Sequence, residues 1–443
     1  MSRPKIVVIG AGSMLFAKQL LVGMTRVPSF QGGELCLVDL DAAKLAVIEQ
    51  VARRLVAASG ANLAVTASTD RRDVLPGADF VILAFADRGI HFRGLECRVS
   101  AKYGVLMHSG DTVGPGGIFR TLRTIPTALR IAGDVAELCP QAWILNYTNP
   151  TAAVGTALRR YTDCRFIALC DFHVMPQYKE RLLRLCGLAG ERVPQELLDA
   201  VHLKLAGVNH FTWMTDFSRG GESLFPALHQ ALVREEAAEP GYRAVRQLME
   251  AFGAYPTLFW HTVEYLPYFQ GRGKSPGSYV ADLWDEQERW RRYDRFWADM
   301  RGYASGSLPI AELSDSIHDT EYVLRVINAI LTDAGEMFYI NVPNRGTVTN
   351  LPDEAVLELA CRVGQGGYQR LPFGPLPEAV VGVTRPVIAE HELAVEAAVT
   401  GSRTTLLQSF LVDPLIASIE DAQNLIAELL DAERDALPKM WQH

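Results

Sequence analysis

No stretch of these 443 residues comes near the roughly 18 consecutive apolar residues that a membrane span needs. The opening MSRPKIVVIGAG lacks the basic, apolar and small-residue layout of a secretory signal, so an exported protein is not expected. Positive charge is not in excess either. Lys+Arg 43 against Asp+Glu 51 gives a formal net charge of −8, which excludes the broad basic footprint of a nucleic-acid binder. Cysteine is scarce and unpatterned: Cys36, Cys97, Cys139, Cys164, Cys170, Cys186 and Cys361 are odd in number and show no CxxC spacing. A disulfide framework is therefore not expected, and a reducing, cytoplasmic setting is. Internal repeats, low-complexity tracts and linker-like stretches are absent from the sequence as well.

What is present reads as an ordinary globular protein, with 49% hydrophobic and 21% charged residues. The length exceeds the roughly 250–300 residues at which one core stops growing. We therefore expect two closely packed domains, a nucleotide-binding one over 1–195 and a substrate- and metal-binding one over 196–443. Strand-like runs occur at Lys5–Ile9, Leu35–Leu40, Phe80–Ala84, Trp143–Asn146 and Phe166–Cys170. Helical spacing separates them over Met14–Arg26, Asp41–Ala58 and Arg120–Leu138. This alternation predicts right-handed crossovers and a doubly wound parallel α/β sheet of the Rossmann type. Beyond about residue 200 the alternation weakens into a second α/β (α+β) part. There Leu203–Val208 and Thr212–Asp216 flank a polar turn, and Met337–Val342 reads as a strand. Residues 280–304, Asp319–Leu331 and Pro414–Asp435 read as helices.

The first strand runs into Gly10-Ala11-Gly12-Ser13 and then a helix, the beginning of a dinucleotide fingerprint. Its glycines allow a tight turn and close approach of backbone to a pyrophosphate at the helix N-terminus. Leu15 holds the third glycine position, so the match is incomplete. Asp39, ending the second strand, suits a ribose 2′-hydroxyl and repels a 2′-phosphate, which favours NAD over NADP. The competing reading is a glycine turn with no nucleotide.

Four later segments carry polar groups that a core would avoid. Asp111-Thr112-Val113-Gly114-Pro115-Gly116-Gly117 is a glycine-rich loop before a helix, and Asn146-Tyr147-Thr148-Asn149-Pro150 ends a strand. Cys170-Asp171-Phe172-His173 and Gly207-Val208-Asn209-His210 end two further strands. A thiolate and an imidazole at adjacent strand ends can share a divalent cation, although either residue alone is more often a core group. Tyr265, in the aromatic stretch FGAYPTLFWHTVEYLPYF, reads either as a buried tyrosine or as a base beside a cation.

Seven segments occur here in the order seen in one family. They are KIVVIGAGS, DTVGPGGIFRTLRTIP, NYTNP, the Cys-Asp segment, GVNHFTW, EYLPYF and NVPNRGTVTNLP. On these the chain resembles glycoside hydrolase family four, the NAD-dependent exception among glycosidases. The resemblance implies a lactate/malate-dehydrogenase-like fold, bound NAD+ and a divalent metal, most often Mn2+. It implies Cys170 and His210 as metal ligands, Asp111 and Asn149 as contacts to sugar hydroxyls, Tyr265 as base and Asp171 as acid. Gly10, Gly12, Ser13 and Asp39 would hold the cofactor. The implied reaction is hydride removal from sugar C3, proton removal from C2, elimination of the C1 substituent, addition of water and return of the hydride. No net redox change results, and no facing carboxylate pair is needed.

Cys-Asp-Phe-His matches none of the family's usual forms at that point, which leaves His173 without a role. Asp111 is similar to members acting on unphosphorylated sugars, and Asp171 to those acting on 6-phosphates. The reading is an α-glycosidase for an unphosphorylated hexoside or uronide, assembled as a homodimer or homotetramer, with no nucleic-acid or membrane partner. The alternatives are a 6-phospho-glycosidase, an NAD-dependent hydroxy-acid dehydrogenase built on Arg93, Arg98, Arg120 and His210, and a silent NAD-binding sensor.

Overall fold

The computed structural model describes residues 3–86, 88–239, 241–271 and 285–442. Within them lie β1 (Lys5–Ile9), β2 (Glu34–Val38), β3 (Ala64–Ser68), β4 (Phe80–Leu83), β5 (Trp143–Asn146) and β6 (Arg165–Ala168). These six strands run parallel in the order β3-β2-β1-β4-β5-β6, the dinucleotide-fold order. Five helices accompany the crossovers: α1 (Ala17–Arg26), α2 (Ala42–Ser59), α3 (Gly89–Lys102), α4 (Gly114–Leu138) and α5 (Thr151–Tyr161).

The sequence dictates this directly. β1 is a β-branched run buried on both faces: Ile6 and Val8 enter one core, Val7 and Ile9 the other. Only a sheet covered by helices on both sides buries such a strand completely. Helix α2 starts where the Asp41 carboxylate accepts from the backbone N–H groups of Ala43 and Lys44, and stops at Gly60 in the left-handed region (φ 69°).

The sheet continues without a break into the second half. β7 (Val201–Val208), β8 (Phe211–Arg219), β9 (Glu222–Ser223), β10 (Tyr255–Pro256), β11 (Glu336–Pro343), β12 (Val356–Gly364) and β13 (Gly367–Arg370) are all antiparallel to their partners. The order runs β6-β11-β12-β7-β8-β10, with β13 on β12 and β9 on β8. At the seam Ala168 of β6 pairs with Asn341 of β11, and Glu358 of β12 pairs with Gly207 of β7. The helices Glu378–Thr400, Arg403–Leu411 and Ile419–Ala432 return to the first half and cover the core beneath α4. No helix among the described residues is long and apolar enough to cross a membrane.

Several elements differ from expectation at their ends. α4 begins at Gly114, six residues before the helical spacing shows, because Pro115 sits in its first turn and the glycines pack under their own loop. α1 starts at Ala17, three residues after the periodicity does. The last helix is shorter at both ends than Pro414–Asp435, starting where Ser418 caps it. Of the helix expected over 280–304, residues 280–284 lie outside the described residues and the remainder is the helix Glu286–Ser305.

Candidate functional site

At the first turn Gly10 (φ 90°) and Ala11 both donate their N–H to the Val38 carbonyl. A Cβ on Gly10 would lie 2.7 Å from the backbone of Ala84 and Phe85. The Gly12 N–H donates to Asp39 Oδ2 at 2.9 Å, and Asp39 Oδ1 accepts from the Asp41 N–H at 3.1 Å. The carboxylate thus braces the turn and keeps free lone pairs for hydroxyl donors. Leu15, at the third glycine position, is 59% exposed. Helix α1 starts two residues after it, so the close helix–strand contact that normally demands glycine there does not arise. Ser13 is partly buried beside this turn, its N–H bonded to the Gly10 carbonyl. Trp297, from the helix Glu286–Ser305, closes over Gly12.

The polar centre lies at the carboxyl ends of β4–β6, where open α/β sheets place ligands. Its pivot is the buried Asp111. Oδ2 accepts from Arg93 Nη2 at 2.8 Å and from Asn149 Nδ2 at 3.2 Å, and Arg120 Nη1 stands 3.8 Å away. Oδ1 accepts from Thr112 Oγ1 at 3.1 Å and faces His210 Nδ1 at 3.5 Å and His261 Nδ1 at 3.9 Å. Burial alone would raise this carboxyl; the charges of Arg93, His210 and His261 outweigh it and hold Asp111 well below the usual range.

His210 occupies the tip of the two-residue turn between β7 and β8, with φ 65°. Left-handed backbone is uncommon for residues other than glycine, though Asn, Asp and His enter it more often than the rest. Its ring stacks on His261, centroids 4.4 Å apart and 6° from parallel. Burial and the neighbouring His261 lower His210, whereas His261 is raised because Glu264 and Asp111 overcome its burial. His261 Nδ1 also meets Glu264 Oε1 at 2.7 Å and Tyr265 OH at 3.2 Å. Glu264 Oε2 accepts the backbone N–H groups of His108, Ser109 and Gly110 at 2.7, 2.9 and 3.2 Å, fixing the loop that carries Asp111. Burial, Glu264 and Asp111 push the Tyr265 phenol well up; a cation nearby acts in the opposite direction.

Asp111, His210 and His261 each offer one ligand atom, and these atoms lie within 4.8 Å of one another. A carboxylate and two imidazoles suit a divalent first-row metal. Cys170 is outside that trio. It is buried two residues beyond Ala168, the last residue of β6, and burial and the nearby Glu358 and Asp171 push its thiol up. Asp171 is exposed and acts electrostatically on Tyr147 and Glu321. The structure thus brings Asp111, Asn149, His210 and, through His261, Tyr265 to one centre, with Cys170 beside it. His261 and Glu264 escaped the sequence reading. Their signal was the spacing in HTVEY: three and four residues place Glu264 and Tyr265 on the same helical face as His261.

Comparison with known proteins adds four likenesses. The family model described as family 4 glycosyl hydrolase matches residues 5–185, and that of its C-terminal domain matches 205–416. An alpha-galactosidase of Bacillus subtilis (strain 168) is 32% identical over 445 residues, covering 98% of this chain and 99% of its own. A crystal structure of a 6-phospho-alpha-glucosidase from gut microorganisms, in complex with NAD and Mn2+, superposes with a TM-score of 0.83 at 22% identity over 99% of both chains. A lactate dehydrogenase from Eimeria maxima, with NADH and oxamate, gives a TM-score of 0.53 at 15% identity over 90% of this chain and 96% of its own.

Proposed function

The chain belongs to glycosyl hydrolase family 4, and from that premise we propose that it is an α-glycosidase for an unphosphorylated hexoside or uronide, dependent on NAD+ and a divalent cation. The observation that carries this reading is the convergence of Asn149, His210 and the His261–Tyr265 pair on one ionised, buried Asp111. The donor chemistry fits both bound groups. The Gly10–Gly12 turn and Asp39 would hold the dinucleotide with Ser13, and His210 with Cys170 would hold the cation, Asp111 and His261 standing beside it. When bound, these groups supply reversible hydride removal at sugar C3 and polarisation of the C3 oxygen.

The chain's own residues do the rest. Asn149 and Asp111 hydrogen-bond the sugar hydroxyls and fix the ring, their mutual bond setting both side chains in advance. As the phenolate, which the cation would favour, Tyr265 Oη takes the proton from C2 and becomes the phenol, and His261, bonded to that oxygen, orients it. Asp171, exposed at the rim, gives a proton to the departing C1 oxygen and can be reprotonated from solvent. Burial of Tyr265 and Asp111 keeps water from the ring face where C2 is acidified. Arg120 favours a uronide within the class: its Nη1 is buried, without a hydrogen-bond partner among the described residues, beside Asp111, and suits a carboxylate.

The test is turnover of nitrophenyl α- and β-hexosides, uronides and 6-phosphates in D2O with NAD+, Mn2+ and a thiol reductant. Cleavage of an α-hexoside or α-uronide with deuterium at C2 of the released sugar is expected. Cleavage without deuterium at C2 sinks the elimination route. Cleavage of 6-phosphates alone replaces the substrate class, and net NADH formation from a hydroxy acid makes the protein a dehydrogenase.

A further inference from the structure

His173 is the residue of the Cys170–His173 segment to which the reaction gives no task. It is 1% exposed, and its Nδ1 lies 3.0 Å from Oε1 of Glu358, which is 0% exposed. The imidazole is enclosed by the rings of Phe172, Tyr178 and Tyr339 at 5.1, 4.9 and 6.3 Å between centroids. The other oxygen of Glu358 accepts from Thr212 Oγ1 at 2.7 Å.

The position of Glu358 gives this pair its meaning. Ala168, Asn341, Glu358 and Gly207 form one row across β6, β11, β12 and β7, at the seam where the parallel half meets the antiparallel half. Cys170 lies two residues beyond Ala168. His210 lies three beyond Gly207, on the turn whose far side is Thr212, the cross-strand partner of Gly207. Glu358 therefore reaches one segment through His173 and the other through Thr212. At Gly207 a Cβ would meet the Phe211 carbonyl oxygen at 2.5 Å, so the hairpin is held close in this row. Apolar side chains of similar volume would fill such a place with equal or greater stability; a buried imidazole–carboxylate contact specifies distance and orientation instead.

We propose that His173 and Glu358, with Thr212, form a positioning clamp that sets Cys170 against His210 for the divalent cation. This rests on the metal reading above. Residues that orient metal ligands change affinity by about 10–100-fold when removed, which sets the expected size.

The test measures Mn2+ binding directly, from the electron-spin resonance of the free ion, for wild type, His173→Leu, His173→Gln and Thr212→Val. NAD+ binding serves as the control for the fold. The Co2+-loaded proteins are read for thiolate-to-metal charge transfer. His173→Leu and Thr212→Val should weaken Mn2+ by at least 10-fold and diminish the thiolate band, with NAD+ affinity unchanged. His173→Gln, which retains a donor toward Glu358, should recover most of the loss. Wild-type Mn2+ affinity and an intact thiolate band in His173→Leu and Thr212→Val overturn the clamp alone. Loss of NAD+ and Mn2+ affinity in step in both makes the pair a fold element and also overturns it. A wild-type protein that takes up no Mn2+ overturns the metal reading and the clamp together.

Discussion

At the scale of single residues, Asp111 draws together groups that have nothing local in common. Arg93, Asn149, His210 and His261 reach it from four separate segments. Tyr265→Phe should lower turnover at least about 100-fold, the usual worth of a positioned base, while leaving NAD+ affinity intact; a Phe variant of full speed places the base elsewhere. Cys170→Ser should fold and bind NAD+ yet lose Mn2+-dependent turnover. Glu264→Ala removes the acceptor of three N–H groups of the Asp111 loop, those of Ser109 and Gly110 buried, so a loss of at least about 3 kcal/mol in denaturant unfolding is expected. Polar side chains at strand ends or in a glycine-rich loop advertise themselves, which is why Asn149, His210 and Asp111 were legible as candidates. His261 sits among aromatics on a helix, and its contact with Asp111 depends on two segments 150 residues apart in the chain (261 − 111). No local pattern reports such a contact. The pairing of His173 with Glu358 was hidden for the same reason.

At the scale of elements, periodicity and β-branching gave β1 and β5 to the residue and most helices to within a few positions. Strands with little apolar content did not show: β3, with Thr66, Ala67 and Ser68, carries no alternation of note. The glycine-rich start of α4 reads as loop because glycine is a poor helix former, and tertiary packing overrides that preference. That start is also where a titration is stored. Glu390 accepts from the Gly114 N–H, and Asp413 lies beside it, its carboxyl pushed up to about 7 by burial. The folded pKa lies above the unfolded one, so this group's contribution is complete below about pH 4 and is lost as the pH rises through 7. Asp413→Asn should therefore raise the melting temperature by a few degrees at pH 8 and leave it unchanged at pH 4; an equal shift at both values refutes the assignment. In the first turn, Gly10→Ala forces a Cβ into the Ala84 carbonyl at a φ of 90°, and both thermal stability and NAD+ affinity should fall.

At the scale of the whole molecule, one sheet serves both halves. The core on one face gathers Ile6 and Leu35 with Ile340 and Leu357, and the other gathers Val7 and Ile144 with Leu406 and Leu425. We propose the division at residue 195 as one of function, nucleotide side against substrate side, rather than of independent folding. Fragments 1–195 and 196–443 should each fail to give a cooperative melt alone, and a sharp transition from either would contradict this. The doubly wound half was legible because its alternation is local; the order of the antiparallel strands was not, since it is settled by pairings between distant segments. One of those long reaches has a consequence for biosynthesis. Arg123, four-hundredths exposed on α4, is neutralised by Glu96 and by Glu433, the latter 310 residues further on. During synthesis the glycine turn and the parallel strands leave the ribosome first. The guanidinium on α4 meets Glu96 early and Glu433 only after 310 further residues have been made, so this buried contact closes long after the parallel strands are complete.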